Sequence, residues 1–374
     1  MRSDNDLKEI ARLFLKLGII GFGGPAAHIA MMQDEVVTKR KWLSEQHFLD
    51  LMGATNLIPG PNSTEMAIHI GHEKGGWKGL IVAGLCFILP AVLITGIFAW
   101  LYKQYGQIPE VQPFVYGIKP AIIAIILGAV YPLAKKSMKS FELAIIGVAV
   151  LICSLLNFNE IYLMFGAGFI GLFLTLLKTN KSTNSFLTLP FLQISTTTYL
   201  SATNLNLFWI FLKIGAILYG SGYVLFAFLD TELVSTGLLT RTQLIDAIAV
   251  GQFTPGPVFS SVTFIGYQIN GMTGAMVSTI AIFLPSFVFV ALLNPLVKKM
   301  RNSILFSAFL DAVNVASVAI IAAVCFDMGK DTITDWRTIL IAVLSMAIAF
   351  GYKKLNSAFV VLGGSLIGYL LTLI

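Results

Sequence analysis

The chain has 374 residues, of which 12% are charged, against roughly 25% in ordinary soluble proteins, and its mean hydropathy is +0.83. Apolar runs this long and continuous leave too few polar faces for a soluble fold, so the chain reads as an all-α polytopic membrane protein. The net charge of +6 is no footprint for nucleic acid, because the basic residues cluster at the ends of apolar runs (Lys39 to Lys41, Lys135 with Lys136, Lys353 with Lys354), where membrane proteins carry their orientation signal.

In chain order, Met1 to Glu9 mixes acids and bases without a cleavage pattern, so the first apolar helix is expected to stay in the mature protein. That helix is broken at Gly21-Phe-Gly-Gly-Pro25. Two pieces too short to span follow, 44–58 and 62–74, hinged at Pro59-Gly60-Pro61. The hinge forbids a continuous helix, since two ring nitrogens donate no hydrogen bond and the glycine relaxes the turn. Four apolar spans come next, at about 77–102, 113–134, 140–157 and 160–178, each near the ~20 residues that cross a bilayer. Residues 179–203, rich in Ser, Thr and Asn, read as a linker whose Phe186 to Ile194 segment rests on the membrane surface. The same parts then recur: a break at Tyr219-Gly-Ser-Gly222, a hinge at Pro255-Gly256-Pro257, and spans at about 272–297, 304–326, 336–351 and 356–374. Three cysteines, Cys86, Cys153 and Cys325, lie singly in apolar segments and read as small hydrophobes.

The recurrence is a duplication. Phe14-Leu-Lys16-Leu-Gly18 matches Phe211-Leu-Lys213-Ile-Gly215, Leu89-Pro90 matches Leu284-Pro285, and Pro59 and Pro255 lie 196 residues apart. The expected organisation is a first repeat over 1–178, a polar linker over 179–203 and a second repeat over 204–374. Read as a re-entrant hairpin, each hinged pair adds no crossing. The fold is then two homologous, inverted repeats of about five transmembrane helices each, with a Pro-Gly-Pro-hinged re-entrant helical hairpin per repeat. The basic residues agree: Lys39 to Lys41, Lys135, Lys136 and Lys298, Lys299 fall on one side, and Lys103, Arg241, Lys330 and Arg337 on the other. The lysine-rich side is expected to be cytoplasmic and both termini outside, which leaves Arg2, Lys8 and Arg12 discordant. Were 44–74 a single broken span, the repeats would be parallel.

Broken helices at membrane depth are tolerated where they line a solvated cavity, and matched breaks in inverted repeats point to a transporter's binding site. The candidate substrate residues are therefore Gly23, Gly24 and Pro25, Pro59, Gly60 and Pro61 with Asn62, Ser63 and Thr64 behind them, and Pro255, Gly256 and Pro257 with Ser260 and Ser261. A helix N-terminus offers unpaired N–H groups and partial positive charge to an anion, and hydroxyls add donors; the alternative for these hydroxyls is plain N-capping. Glu65 would repel an anion when ionised, so it is protonated, pointed away, or the site of a coupled proton. Lys16 and Lys213, one turn before each break, either draw in anions or snorkel to the interface. Lys119, replaced by Ser317 in the second repeat, suits an anion site off the symmetry axis or a helix end. His28 is either a titrating group or a hydrogen-bonded structural histidine. His69, His72 and Glu73 fit no zinc motif, and no nucleotide loop, nucleophile elbow or paired carboxylate appears; neither a metal, a cofactor, an enzyme nor an ATP-driven pump is expected.

Phe22-Gly-Gly-Pro25 followed by Trp42-Leu43, then Leu57-Ile-Pro-Gly-Pro61-Asn62 and the Gly71, Gly75-Gly76, Gly79, Leu89-Pro90 series, resemble the chromate ion transporter family in its long, two-domain form. The resemblance implies a secondary transporter of the cytoplasmic membrane that exports chromate and confers resistance, driven by the membrane potential or proton gradient. Uptake or exchange of sulfate or a related oxyanion is the alternative, and a channel or passive scaffold the outlier. The expected partners are chromate or sulfate as cargo and the lipid bilayer, with a homodimer as a candidate assembly and no nucleic acid. The second repeat departs from the family pattern in lacking the Pro of the first break and in carrying Val258-Phe259 for Asn62-Ser63, which makes the first repeat the better candidate for substrate contact.

Overall fold

The computed structural model describes residues 4–22, 24–106, 108, 111–179, 204–220, 222–293, 303–352 and 356–373. Among them are fourteen α-helices and no strand, seven helices to each repeat. The first repeat contains α1 (Asp4–Ile20), α2 (Gly24–Gln33) continued by a π-helical turn (Asp34–Lys39), α3 (Glu45–Thr55), α4 (Asn62–Tyr105), α5 (Gln112–Ser137), α6 (Phe141–Leu155) and α7 (Glu160–Thr179). The second contains α8 (Asn204–Ile217), α9 (Val224–Leu229) with its π-helical turn (Asp230–Val234), α10 (Arg241–Phe253), α11 (Ser261–Leu293), α12 (Ile304–Thr332), α13 (Trp336–Gly351) and α14 (Ser357–Thr372). The expected linker lies outside the described residues, apart from Thr179.

Equivalent signals start equivalent helices. Ser44 caps α3 by accepting from His47 N–H, and Thr240 caps α10 by accepting from Gln243 N–H. α4 and α11 each fold back sharply at one glycine, Gly76 (φ 61°, ψ −150°) and Gly271 (φ 60°, ψ −150°), a backbone region that side-chain-bearing residues avoid. Behind each kink the two limbs pack tightly, Gly71 against the Gly79 carbonyl and Gly266 against the Gly274 carbonyl.

The start of α3 and the end of the first limb of α4 meet on one face of the molecule. His47 lies 3.1 Å from Glu73, Lys74 pairs with Asp6 at 2.9 Å, and Arg40 and Lys74 both lie over the Trp42 ring. The Pro-Gly-Pro hairpin therefore enters and leaves by this first face. A second hairpin does the same. α1 starts here, ends at Gly21, and α2 with its π-helical turn runs back beside it, joining Glu35 to Lys16 (2.9 Å) and Arg40 to Glu9 (3.8 Å). The broken first helix thus turns back where a crossing was expected, with Gly256 N–H and His28 both on Gly21 C=O at the reversal. Lys8 and Arg12 consequently belong with Arg40 and Lys74, and their discordance with the other basic residues disappears.

The second limb of α4, residues 77–105, is about 40 Å long and carries the chain to the far face. There Gln268 donates to Ala99 C=O (3.0 Å), Lys103 lies over Tyr267, and Asn270 donates to Asn204 (2.8 Å). Asn270, the residue before the kink glycine Gly271, is the repeat equivalent of Gly75, which follows Lys74 at the first face, so the repeats are inverted. The last helix also ends at the far face, where Tyr369 stacks on Phe114 near the start of α5. The two ends of the described chain therefore lie on opposite faces, whereas both termini were expected outside.

The repeats interlock. α4 packs on α11 and α5 on α12 across the pseudo-twofold axis, α6 and α7 wrap α12, and α13 and α14 wrap α5. Outward faces carry apolar stripes at four-residue spacing, such as Leu85, Leu89, Leu93 and Ile97 on α4, or Met272, Met276, Ile280 and Leu284 on α11. Among the described residues, five helices are long and apolar enough to cross a membrane. Surfaces of this kind are solvated by lipid.

Candidate functional site

The two hinges meet the two glycine breaks at the centre of the molecule, each against the other repeat. Gly60 N–H donates to Leu218 C=O (2.8 Å), and Gly256 N–H donates to Gly21 C=O (2.7 Å). Gly60 (φ 133°) and Gly256 (φ 92°) hold conformations that favour glycine, and neither position has room for a side chain. A Cβ on Gly60 would meet Glu65 Oε1 at 2.3 Å and Ser286 Oγ at 2.7 Å; one on Gly256 would meet Ala91 Cβ at 2.8 Å. Ser286 and Ala91 directly follow Pro285 and Pro90, so each hinge also rests on the residue after the helix proline of the opposite repeat.

Behind the hinges the polar side chains are sealed in. Ser63, Thr64, Glu65, Ser260, Ser261 and Thr263 are all buried. Pro61 and Pro257 occupy the cap positions and neither helix start has a side-chain cap, so the capping alternative for these hydroxyls is not the arrangement present. Thr64 N–H and Glu65 N–H turn back to Pro61 C=O, which leaves the amides of Asn62 and Ser63 without a partner within the helix. Thr95 of α4 reaches Thr254 (3.5 Å) and Ser260 (3.4 Å), and Ser286 reaches Glu65 Oε1 (3.5 Å). Among the described residues, Thr64 Oγ1, Glu65 Oε2 and Ser261 Oγ are buried without a hydrogen-bond partner. Glu65 and Ser261 occupy equivalent positions in the two repeats, so only the first hinge carries an acid. Asn62 is half-buried and donates to Asn56 (2.8 Å) at the exposed edge of this cluster.

The other candidates are distributed differently. Lys16 is paired with Glu35 and Lys213 with Glu232 (2.6 Å), each acid nineteen residues after its lysine, so each lysine already has a counter-ion. His28 Nε2 lies 2.8 Å from Gly21 C=O, with the ring edge-on to Phe87, and so braces the first break. Gly24 (φ 78°) and Pro25 start α2, while Gly23 lies outside the described residues. Lys119 is half-buried, and its charge acts on Asp246 of α10, whose Oδ2 accepts from Tyr102 O–H at 2.5 Å. Asp246, Tyr102, Thr95 and Ser286 escape a reading of the sequence. A signal exists for one of them: Asp50 and Asp246 each precede the first hinge proline by nine residues.

The whole chain has counterparts. The sequence profile of the chromate transporter family matches residues 8–172 and again residues 205–369. A chromate transport protein of Cupriavidus metallidurans is 32% identical over 97% of this chain and 92% of its own length, and a probable chromate transport protein of Synechococcus elongatus is 30% identical over 97% and 95%. An uncharacterised transporter of Bacillus subtilis, YwrA, is 25% identical over 42% of this chain and 91% of its own length, about the extent of one repeat. No solved structure matches. With one profile fitting both inverted halves, this multi-pass membrane protein belongs to the chromate transporter family.

Proposed function

We propose that the chain is a secondary transporter that exports chromate across the cytoplasmic membrane, with the basic first face in the cytoplasm, and so confers chromate resistance. One observation carries the reading at the level of the site. The uncapped start of α4 presents the Asn62 and Ser63 amides, beside buried hydroxyls, at the point where both hinges and both glycine breaks converge. A helix start of this kind carries about half a positive charge, which suits a divalent oxyanion better than a neutral solute. Both break lysines are engaged in ion pairs, so the amides and hydroxyls are the groups left to recognise the anion. Glu65, buried beside the hinge with one oxygen unpartnered, is the candidate carrier of a coupled proton.

Sulfate has the same charge and tetrahedral shape, and the site offers the same contacts to both. Flux in everted vesicles separates them. Saturable chromate accumulation that a protonophore collapses, with sulfate a weak competitor, is the expected result; sulfate carried at least as well as chromate would overturn the chromate assignment. Ser63→Ala is expected to raise the half-saturating chromate concentration about tenfold, the loss of one hydrogen bond to a charged group.

A further inference from the structure

The two repeats contain the same parts but pack them differently. Every residue of α9 is buried, whereas α2 buries only His28 and Met32. Along α10, Ile245, Ala249 and Gln252 are at most 7% exposed. The equivalent stripe on α3 is Leu49, Gly53 and Asn56, with Leu49 39% exposed, Gly53 half-buried and Asn56 exposed. The acids follow suit: Asp246 is 4% exposed, while Asp50 is half-buried and takes a hydrogen bond from Gln46 of its own helix. α10 is pressed against α5 and α14 as well as α11, and α9 against α12; the main contacts of α2 and α3 are with their own repeat.

A face carrying Asp50 and Asn56 is too polar to meet lipid. Leu49, Asp50, Gly53 and Asn56 leave an uncovered route from the first face along α3 to Asn56 and to Asn62 behind it. At the far face the same route is shut, and bonds between the repeats hold it so: Tyr102 to Asp246, and Thr231 to Glu160. One helical pattern therefore exists in an open and a closed packing within one chain.

Building on the transporter reading, we infer that α2–α3 and α9–α10 are the two gates, that the structure is open to the first face and closed at the far face, and that transport exchanges the two packings. In the exchanged state α3 would close on α12 and α7, the counterparts of α5 and α14, while α10 leaves α5 and the Tyr102–Asp246 bond breaks. The hinge residues stay in place, because each is pinned to the opposite repeat. Asp246 and Tyr102 are then the latch of the far gate, a role separate from contact with the anion.

The test reads access rather than flux. In the full-length protein with Cys86, Cys153 and Cys325 replaced, Asn56→Cys should react with a membrane-impermeant maleimide from the first face. Gln252→Cys, its repeat equivalent, should be at least tenfold slower from either face. Adding Tyr102→Phe with Asp246→Asn should speed Gln252→Cys from the far face and slow Asn56→Cys, each at least fivefold. Equal reactivity of the two cysteines in the parent, or latch changes that leave both rates unmoved, would overturn the inference. A cleavable cross-linker joining Tyr102→Cys to Asp246→Cys, applied after folding, keeps the question open to refutation should the latch variants misfold: it should leave Asn56→Cys reactive and stop anion flux, and reduction should restore flux. Undiminished flux in the cross-linked protein would equally overturn the gate assignment. Reciprocal labelling without chromate flux would overturn the substrate reading alone.

Discussion

Lys16 and Lys213 show how one motif residue can carry different weight in two copies. Glu35 has three cationic neighbours, Lys16, Lys39 and Arg40, and the Lys16 side chain is about half exposed. The Lys213–Glu232 pair has little exposure on either side, and Lys213 is the cation that Glu232 faces. Removing one partner of a buried pair costs about 3–5 kcal/mol, and an exposed pair is worth less than about 1 kcal/mol. Lys213→Met should therefore lower the thermal midpoint markedly and Lys16→Met hardly at all. Lys213→Glu combined with Glu232→Lys separates structure from anion binding: the exchange should recover most of the stability and retain chromate flux. A stable exchanged protein without flux would return Lys213 to the substrate site. The sequence places both lysines beside the breaks but carries no sign of their partners, since an acid nineteen residues away meets its lysine only through the reversal at the glycine break.

At the scale of elements, the hinges were legible because proline and glycine leave no alternative at Pro-Gly-Pro, and the kinked helices were legible as short pieces followed by spans. The α1–α2 hairpin was not. A glycine break inside an apolar helix reads alike whether the chain bends and continues or reverses, and the deciding contacts, Gly256 N–H and His28 on Gly21 C=O, come from elsewhere. Only the partners of the hinges, not their composition, show why glycine is needed there. Gly60→Ala would force a Cβ into Glu65 and Ser286 at φ 133° and is expected to cost at least about 1–3 kcal/mol. Gly96→Ala, on the second limb of α4 with open space around it, should be neutral or stabilising by up to about 1 kcal/mol. Thermal midpoints of the two variants in one detergent make the comparison, and equal midpoints would remove the strain argument.

For the whole molecule, the basic residues and the inverted packing give a single orientation once α1 is seen to turn back. Lys8, Arg12, Arg40 and Lys74 gather at the first face, joined by Lys139 and Lys178 from the ends of α5 and α7, whose partners Asp311 and Glu142 lie there too. Lys103, Arg241 and Lys330 remain at the far face, and two of them are matched by acids, Arg241 by Asp230 and Asp331, and Lys330 by Asp327. On the proposed reading, the excess of Lys and Arg assigns the first face to the cytoplasm, with the start of α1 inside and the end of α14 outside. With Cys86, Cys153 and Cys325 replaced, Thr372→Cys should react with an impermeant maleimide in intact cells, and Lys8→Cys only in everted vesicles. Both cysteines reacting from one side would mean that α1 crosses after all, and the route along α3 would then have no face to open to.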